Sequence, residues 1–299
     1  MEPLISIALC TYNGSRFLER QIMSILNQTY NNIELIVVDD CSTDNSFEIT
    51  QRLSAKYPQI KSFKNAKNIG FNKNFEKAIK LTSGAFIAIS DQDDIWLNCK
   101  LQRLIDNIGD KLLIFSNSEW VDEDEKILGR RILADTFGLK QRTFKSMLFY
   151  NFVTGHTTLF SRQLLNYILP IPSNGYYDWW IGFVALYHNK ITCLNECLTL
   201  HRVHSTSVMY RDKGLDNPGS RSDHIKERII NLALLKEYKN LTKKDQRLIC
   251  KIHNEYLKKG HSLYLIKTIF NCYNDFFPDL KKRNGLSKLN FAIKFSKGL

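Results

Sequence analysis

The chain has 299 residues, 43% hydrophobic and 24% charged. These are values of a folded globular protein with material for a sizeable core, and they exclude a disordered, collagen-like or coiled-coil chain. Lys plus Arg number 42 and Asp plus Glu 30, a formal net charge of +12, and the excess sits at one end. From Arg221 to Leu299 there are 18 basic and 7 acidic residues, against 24 and 23 before them. A near-neutral body with a basic tail predicts that the tail meets an anionic surface.

Seven cysteines are scattered, and Cys193 with Cys197 has no second pair to complete a zinc site. Free thiols of a reducing compartment are expected. The apolar runs Leu35–Val38 and Ala85–Ile89 fall far short of the ~18 residues of a membrane span. The N-terminus shows no basic stretch followed by an apolar one, so no signal peptide is expected. The expected location is cytoplasmic, peripheral at the inner face of the cell membrane at most.

The first third alternates strand and helix signals. Leu4–Leu9 is a β-rich run ending in the turn Thr11-Tyr12-Asn13-Gly14. Arg16–Asn27 has helical spacing through Phe17, Ile22, Ile25 and Leu26. Glu34–Val38 is a second strand ending in Asp39-Asp40, and Ser42 to Ser46 offers helix caps before Phe47, Ile49 and Leu53. Ile60–Lys64 is a third strand, Phe71–Leu81 a helix, Ala85–Ile89 a fourth strand and Leu112–Phe115 a fifth. Such alternation predicts βαβ units and a mostly parallel sheet. Ligands then bind beyond the carboxyl ends of the strands. Tyr12-Asn13, Asp39-Asp40 and Asp91-Gln92-Asp93 should therefore converge on one edge. Residues 117–210 have no clear period. Beyond about Ser222 helices return, through Ile225, Ile229, Leu232 and Leu235, and then Leu248, Ile252 and Leu257. Asn217-Pro218-Gly219 is the expected boundary between 1–220 and a basic helical region, 221–299.

Two carboxylates two residues apart at a strand end, Asp91 and Asp93, can approach one divalent cation, and hard oxygen ligands suit Mg²⁺ or Mn²⁺ shared with substrate phosphates. Alone, the pair is equally a solvated turn or a helix cap, since a helical run follows Asp94. Asp39-Asp40 can accept from a nucleobase or ribose, and alone is equally a turn. Neither a Gly-x-Gly-x-x-Gly after the first strand nor a Gly-x-x-x-x-Gly-Lys-Ser/Thr is present, which removes the usual phosphate cradles of dinucleotide and P-loop enzymes.

Taken in order, the blocks Ile5 to Gly14, Gln28-Thr29-Tyr30 with Glu34 to Asp44, Asn68-Ile69-Gly70, and Ser90-Asp91-Gln92-Asp93-Asp94-Ile95-Trp96 closely resemble family 2 glycosyltransferases, over roughly residues 4–210. The resemblance implies a GT-A fold, an α/β Rossmann-like sheet flanked by helices. It also implies a nucleotide-diphosphate sugar donor and a divalent metal, Mn²⁺ or Mg²⁺. Carried over, Thr11, Tyr12, Asn13 and Asp40 line the base and ribose pocket with Asp39 beside them. Asp91 and Gln92 belong to the nucleotide side, and Asp93 ligates the metal. Asn68 and Lys73 stand where donor sugar or phosphate is contacted. Tyr177-Asp178-Trp179-Trp180 resembles the acidic element before an aromatic helix that faces the acceptor. Asp178 is then the general base, with Tyr177, Trp179 and Trp180 stacking on acceptor sugars or packing in the core. Here Tyr-Asp replaces the more usual Glu-Asp. His201-Arg202-Val203-His204 resembles a Tyr-Arg-x-His element, with His204 a metal or diphosphate ligand and Arg202 a phosphate partner.

A glycosyl phosphate already contains a good leaving group. Catalysis then needs charge neutralised on the departing diphosphate and a proton removed from the attacking hydroxyl. Attack opposite the diphosphate inverts the anomeric centre. The block order most resembles rhamnosyltransferase-like members, and glucosyl and galactosyl transferases share it. A UDP- or dTDP-linked donor and a lipid-linked saccharide acceptor of O-antigen or capsule synthesis are expected. The Gln-x-x-Arg-Trp of processive synthases is absent. A nucleic-acid-binding module and a nucleotidyltransferase are the competing classes. The aromatics follow no nucleic-acid stacking motif, and Asn13-Gly14-Ser15-Arg16 is too short for a nucleotidyltransferase loop. In the tail, Lys281, Lys282, Arg283, Lys288, Lys294 and Lys297 interleave with Leu286, Leu289, Phe291, Ile293 and Phe295. That pattern suits an anionic bilayer, a solvated helix or a contact with a second copy of the chain.

Overall fold

The computed structural model describes residues 2–140, 142–204 and 221–298. The boundary expected at Asn217-Pro218-Gly219 lies outside the described residues. Two compact units emerge: Met1–Gly138 with Phe152–Ser173 and His188–His204, and Leu139–Asn151 with Asn174–Tyr187 and the described part of Ser205–Leu299. The expected division was a single cut after residue 220. The compact units instead interleave, and two segments from the middle of the chain join the C-terminal helices.

The first unit is built on β1 (Ile5–Thr11), α1 (Ser15–Leu26), β2 (Ile33–Asp39), α2 (Ser46–Lys56), β3 (Ile60–Lys64), α3 (Phe71–Leu81), β4 (Phe86–Ser90), β5 (Ile95–Trp96), α4 (Lys100–Asn107), β6 (Leu113–Val121), β7 (Ile127–Arg131), β8 (Thr158–Ser161), α5 (Leu165–Ile168) and β9 (Ile191–Arg202). They form one nine-stranded sheet ordered β3-β2-β1-β4-β8-β6-β9-β5, with β7 paired to β6. The β3-β2-β1-β4 half is wholly parallel. β8 is antiparallel to both its neighbours, and β6 and β9 run parallel. This is the expected mostly parallel sheet flanked by helices.

Parallel strands covered on both faces must be apolar throughout. β1 accordingly is buried at all seven positions, Ile5 to Thr11. Helix α1 lays Leu18, Ile22 and Ile25 against Leu9, Leu35, Val37 and Trp96 in one core. Strand register then sets the functional edge: Thr11 lies opposite Asp39 and Leu9 opposite Ser90. The residues that follow these strands have no further sheet to join and turn outward together.

The long β9 escaped the reading of periodicity. Its twelve residues are mostly half-buried and carry Cys193, Asn195, Glu196 and Cys197, so no alternation marks it. Its pairing with β6 slips twice, between Ser116 and Asn117 and between Asn117 and Ser118. That long-range pairing makes His201 and Arg202 the end of a strand.

The second unit contains α6 (Tyr177–Tyr187), α7 (Arg221–Leu235), α8 (Lys243–Tyr256), α9 (Leu263–Asn271), α10 (Tyr273–Phe276) and α11 (Gly285–Phe295). Phe149 explains why the segment Leu139–Asn151 belongs here. Its ring meets Phe276 at 5.1 Å, Phe295 at 5.2 Å, Phe277 at 5.6 Å and Tyr256 at 6.2 Å. Thr242, Ser262 and Asn284 each cap a helix by accepting from the backbone amide three residues on. Among the described residues no helix is long and apolar enough to cross a membrane.

Glu34, near the start of β2, joins three elements of the first unit. Its carboxylate accepts from Ser6 Oγ at 2.6 Å, Ser83 N–H at 2.5 Å, Ser83 Oγ at 2.7 Å and Lys61 Nζ at 2.9 Å. Burial alone would push this carboxyl up; the bonds from Ser6, Ser83 and Lys61 outweigh it and hold the group at about 2. A depressed carboxyl stabilises the fold fully above its unfolded value, 4.5, and the contribution fades as pH falls towards 2. Glu34→Ala is expected to cost about 3 kcal/mol, read as a lower urea midpoint at pH 7, with the difference from wild type shrinking in acid.

Candidate active site

The loop after β1 is held by side chains from two other loops. Gln92 Oε1 accepts from Thr11 Oγ1 at 2.7 Å and from the Tyr12 N–H at 2.8 Å. Asn13 sits at φ +50°, a conformation Asn tolerates, and its Oδ1 accepts from the Thr43 N–H at 2.8 Å. A Cβ at Gly14 would lie 2.2 Å from Gln92 Oε1, so any larger residue there would push the Gln92 amide off its bonds to Thr11 and Tyr12. The result is a rigid ledge from which Tyr12 projects, 46% exposed. Gln92 therefore braces the ledge.

The two carboxylates after β2 differ. Asp40 Oδ1 accepts from Asn65 Nδ2 at 2.7 Å and the Ile69 N–H at 2.9 Å; Oδ2 accepts from the Gly70 N–H at 3.0 Å and keeps a lone pair. Asp40 thus ties the Asn68-Ile69-Gly70 turn to the end of β2. Asp39 Oδ1 accepts from the Ser42 N–H at 2.9 Å, while its buried Oδ2 has no hydrogen-bond partner among the described residues. Asn68 is exposed and its Oδ1 accepts from the Gly70 N–H at 3.1 Å. Lys73 Nζ donates to Glu76 at 2.8 Å and to the Ile171 carbonyl at 2.7 Å, so its charge is engaged by the protein.

After β4 the chain places three carboxylates in succession. Asp94 is fully buried, whereas Asp91 and Asp93 are half-buried, and α4 begins only at Lys100. Its Oδ1 accepts from His201 Nδ1 at 2.9 Å and the Arg202 N–H at 3.2 Å. His156 Nδ1 lies 3.6 Å from Asp94 Oδ2 and 3.5 Å from Asp91 Oδ2, and its ring stacks on His201 at 4.7 Å and 2°. Lys100, also fully buried, donates to the His156 carbonyl at 2.5 Å and to Thr199 Oγ1 at 2.8 Å, with Nζ 3.6 Å from the Trp96 ring. Burial would raise the Asp94 carboxyl, but the charges of His156 and His201, the His201 hydrogen bond and Lys100 hold it well below the usual carboxylate range. Burial likewise would lower His201; Asp94 above all, with Asp93 and Asp91, instead raises it to about 9. Burial pushes the Lys100 ammonium well down, opposed only in part by Asp94 and Asp91.

Asp93 is the exception. Burial raises its carboxyl, the His204 hydrogen bond opposes this, and the charges of Asp94 and Asp91 add to the rise. Asp93 Oδ2 and His204 Nε2 are 2.9 Å apart. One oxygen and one imidazole nitrogen face each other where negative charge is under-compensated. That set fits a Mn²⁺- or Mg²⁺-type cation completed by phosphate oxygens and water. Asp94, His156 and His201 also offer ligand atoms within 4.8 Å of one another. Asp94 and His156 are buried, and Asp94 has no exposed surface to offer a substrate phosphate.

Arg202 differs from its expected role. Its guanidinium is buried, donating to the carbonyls of Asp93 at 3.0 Å and Glu123 at 2.6 Å and pairing with Glu125 at 3.2 Å. It also stacks 4.6 Å from the Phe17 ring. Those donors tie β9 to the 122–125 turn, and none is held out for a phosphate. Phe17 supports His204 as well, with ring centroids 4.9 Å apart.

In the second unit, Asp178 lies in the first turn of α6, which begins at Tyr177 rather than Trp179. It is half-buried, and the Trp179 N–H donates to its Oδ1 at 2.6 Å. Tyr177, Trp179 and Trp180 are 7%, 4% and 5% exposed, interior side chains rather than a stacking surface for acceptor sugars. The Trp179 indole donates to the Met147 carbonyl at 2.6 Å, and Trp180 packs edge-on against Tyr238.

Residues 6–169 match the sequence profile of Glycosyl transferase family 2. The chain belongs to this family. It is 30% identical over 194 residues to the UDP-Glc:alpha-D-GlcNAc-diphosphoundecaprenol beta-1,3-glucosyltransferase WfgD of Escherichia coli, covering 64% of this chain and 73% of WfgD. To the dTDP-rhamnosyl transferase RfbG of Shigella flexneri it is 36% identical over 115 residues, 37% and 38% of the two chains. A glycosyltransferase of Nostoc matches at 29% over 68% of this chain, which spans about two thirds of that relative's length, 66%. Among solved structures, S. aureus TarS 1-349 in complex with UDP-GlcNAc superposes with TM-score 0.62 at 18% identity, over 98% of this chain and 82% of TarS. The mannosyltransferase PcManGT of Pyrobaculum calidifontis, in complex with GDP-Man and Mn²⁺, gives 0.57 at 14%, over 85% and 70%. The expected GT-A fold is met.

The residues missed from sequence are Asp94, His156, Lys100, Phe17 and Glu125. Asp94 adjoins a quoted motif, but nothing in the spacing joins His156 or Lys100 to it. A histidine raised to about 9 from 6.5 stabilises the fold fully below pH 6.5, and that contribution is lost as pH climbs through 9. Asp94→Asn is expected to cost about 3–5 kcal/mol at pH 6 by urea unfolding, and to flatten the decline in stability between pH 6.5 and 9.

Proposed function

We propose that this glycosyltransferase moves a sugar, with inversion, from a UDP- or dTDP-linked donor to a saccharide acceptor carried on a lipid diphosphate, in O-antigen or capsule synthesis. One observation carries the reading: the ends of β1, β2 and β4 and the end of β9 bring the Thr11–Asn13 ledge, Asp39, Asp40, Asp93 and His204 to one edge of the sheet. The donor nucleotide and acceptor class rest on the names of WfgD and RfbG.

Each residue has a task that its geometry supports. Tyr12 offers an exposed ring to a base. Asp39 Oδ2 and the open lone pair of Asp40 Oδ2 can accept base or ribose donors. Asp93 and His204 would hold the divalent cation, which when bound neutralises charge on a departing diphosphate. Asp91 faces the same loop and would serve the nucleotide side. Asp178, half-buried in the first turn of α6, would take a proton from the attacking hydroxyl. Gln92 and Arg202 are assigned to positioning, the first of the ledge and the second of β9.

UDP-, dTDP- and GDP-sugars, each with Mn²⁺, screened by thermal shift identify the donor. The correct one at 100 Kd is expected to add about 2.7 kcal/mol, a rise of roughly 4–7 °C in Tm. Asp93→Asn should abolish the Mn²⁺-dependent part of that rise. The reading falls if no nucleotide sugar shifts the melt. With the donor known, Asp178→Asn should lower kcat about 10²–10⁴-fold while donor KM stays within a few-fold. Unchanged kcat would exclude Asp178 as the base.

A further inference from the structure

Helix α11 has two apolar faces, and among the described residues only one is buried. Ala292 and Phe295 are buried, and the Phe291 ring meets Tyr273 at 5.2 Å and Phe277 at 5.0 Å. On the other face Leu286, Leu289 and Ile293 are 78%, 39% and 37% exposed. Their i, i+3, i+7 spacing makes them one continuous stripe. The neighbouring α9, which packs against α11, adds Leu263 at 84% exposed and exposed Lys267, one turn on. A helix serving only its own unit would carry polar residues there, because a row of exposed leucines gains nothing in water.

Charge indicates the occupant. Between Leu263 and Gly298 the chain has seven basic residues, Lys267, Lys281, Lys282, Arg283, Lys288, Lys294 and Lys297, and two acids, Asp275 and Asp279. Both acids are already paired inside the unit, Asp275 with Lys145 at 2.7 Å and Asp279 with Arg142. Arg283 donates to Tyr273 Oη and stacks on Phe291, and Lys288 lies over Phe270 and Tyr273. These are neutral partners that orient a cation without cancelling it. Lys281, Lys282 and Arg283 sit in the exposed stretch that leads directly into Leu286. Aliphatic side chains on a helix that follows Lys281, Lys282 and Arg283 match the chemistry of an anionic bilayer surface, with apolar residues at the acyl boundary and cationic groups among headgroup phosphates.

We propose that the outward stripe Leu286, Leu289 and Ile293, with the Lys281-Lys282-Arg283 stretch, is a peripheral docking face for anionic lipid bilayers. The inference is independent of the donor sugar. It accords with a lipid-carried acceptor without resting on it. Removing the C-terminal region would also remove Phe291 and Phe295 from the aromatic core of the unit, so truncation tests folding rather than docking. Point substitutions on the outward face leave that core in place.

The test uses the full chain with vesicles of phosphatidylcholine alone or doped with phosphatidylglycerol, read by co-flotation. Wild type should float with the doped vesicles, weakly with the neutral ones, and less as salt is raised. The triple variant Leu286→Ser, Leu289→Ser, Ile293→Ser should lose more than about tenfold in partitioning with its Tm unchanged. Lys281→Gln with Lys282→Gln should lose about tenfold on doped vesicles only. Failure of wild type to float, or equal flotation of a folded triple variant, overturns the proposal. So does light scattering that shows a wild-type dimer turned monomeric by the triple variant, since a second copy would then cover the stripe. Retention of the nucleotide-sugar thermal shift in every variant separates a failed docking face from a failed transferase reading.

Discussion

Five carboxylates, Asp39, Asp40, Asp91, Asp93 and Asp94, gather at the edge where the largely apolar strands β1, β2 and β4 end, and such crowding must be answered by positive charge or by donors. The fold answers it unevenly. Asp40 is satisfied by two backbone amides and Asn65. Asp94 Oδ1 accepts from His201 and the Arg202 amide, while its buried Oδ2 has no hydrogen bond among the described residues and lies 3.6 Å from His156 Nδ1. Asp93 has His204 as its side-chain hydrogen-bond partner among the described residues, and a carboxyl displaced upward, chiefly by burial and then by its acidic neighbours. The deficit falls at the partly accessible carboxylate, the one proposed to hold the cation. Electrostatics that would be a defect in a structural loop are the basis of a binding site.

Precision at this edge comes from side chains that hold loops. Gln92 reaches from the loop after β4 to the ledge after β1, and Asn13 reaches from that ledge to the loop after β2. Arg202 pins the last residues of β9 to the 122–125 turn, and Phe17 lies against both Arg202 and His204. Each brace spans many residues of sequence, so the pocket forms only when the sheet is complete. Rigid support of this kind keeps ligand-facing groups near their working geometry without ligand.

The second unit shows one helix meeting two demands. Inward, α11 contributes rings to the cluster around Phe149; outward, it carries the leucines and isoleucine that the cluster does not need. Aromatic residues that look like sugar-stacking platforms in the sequence, Trp179 and Trp180, went to the same kind of interior task.

The chain by itself determined the local grammar. Continuous apolar runs had to be buried parallel strands, and Asn13, Gly14, Asp39, Asp40 and Asp91 to Asp94 had to lie at their carboxyl ends, because strand and helix periods are written in neighbouring residues. It also determined that the C-terminal region would be helical and basic. Tertiary structure decided which polar residue met which. Arg202 and Lys73 carry charges that suit a phosphate, yet their partners, Glu125 and Glu76, were settled by how turns and helices packed. His156 came to Asp94 across dozens of residues through pairing of β8, β6 and β9, and Lys100, close in sequence, is turned inward by its bonds to the His156 carbonyl and Thr199. Two segments from the middle of the chain crossed to the C-terminal helices because Phe149 and α6 found their buried surface there. Periodicity reports the solvent environment of each residue, but a salt bridge, a stacked histidine pair or an interleaved unit depends on long-range contacts that only the assembled sheet and helices create.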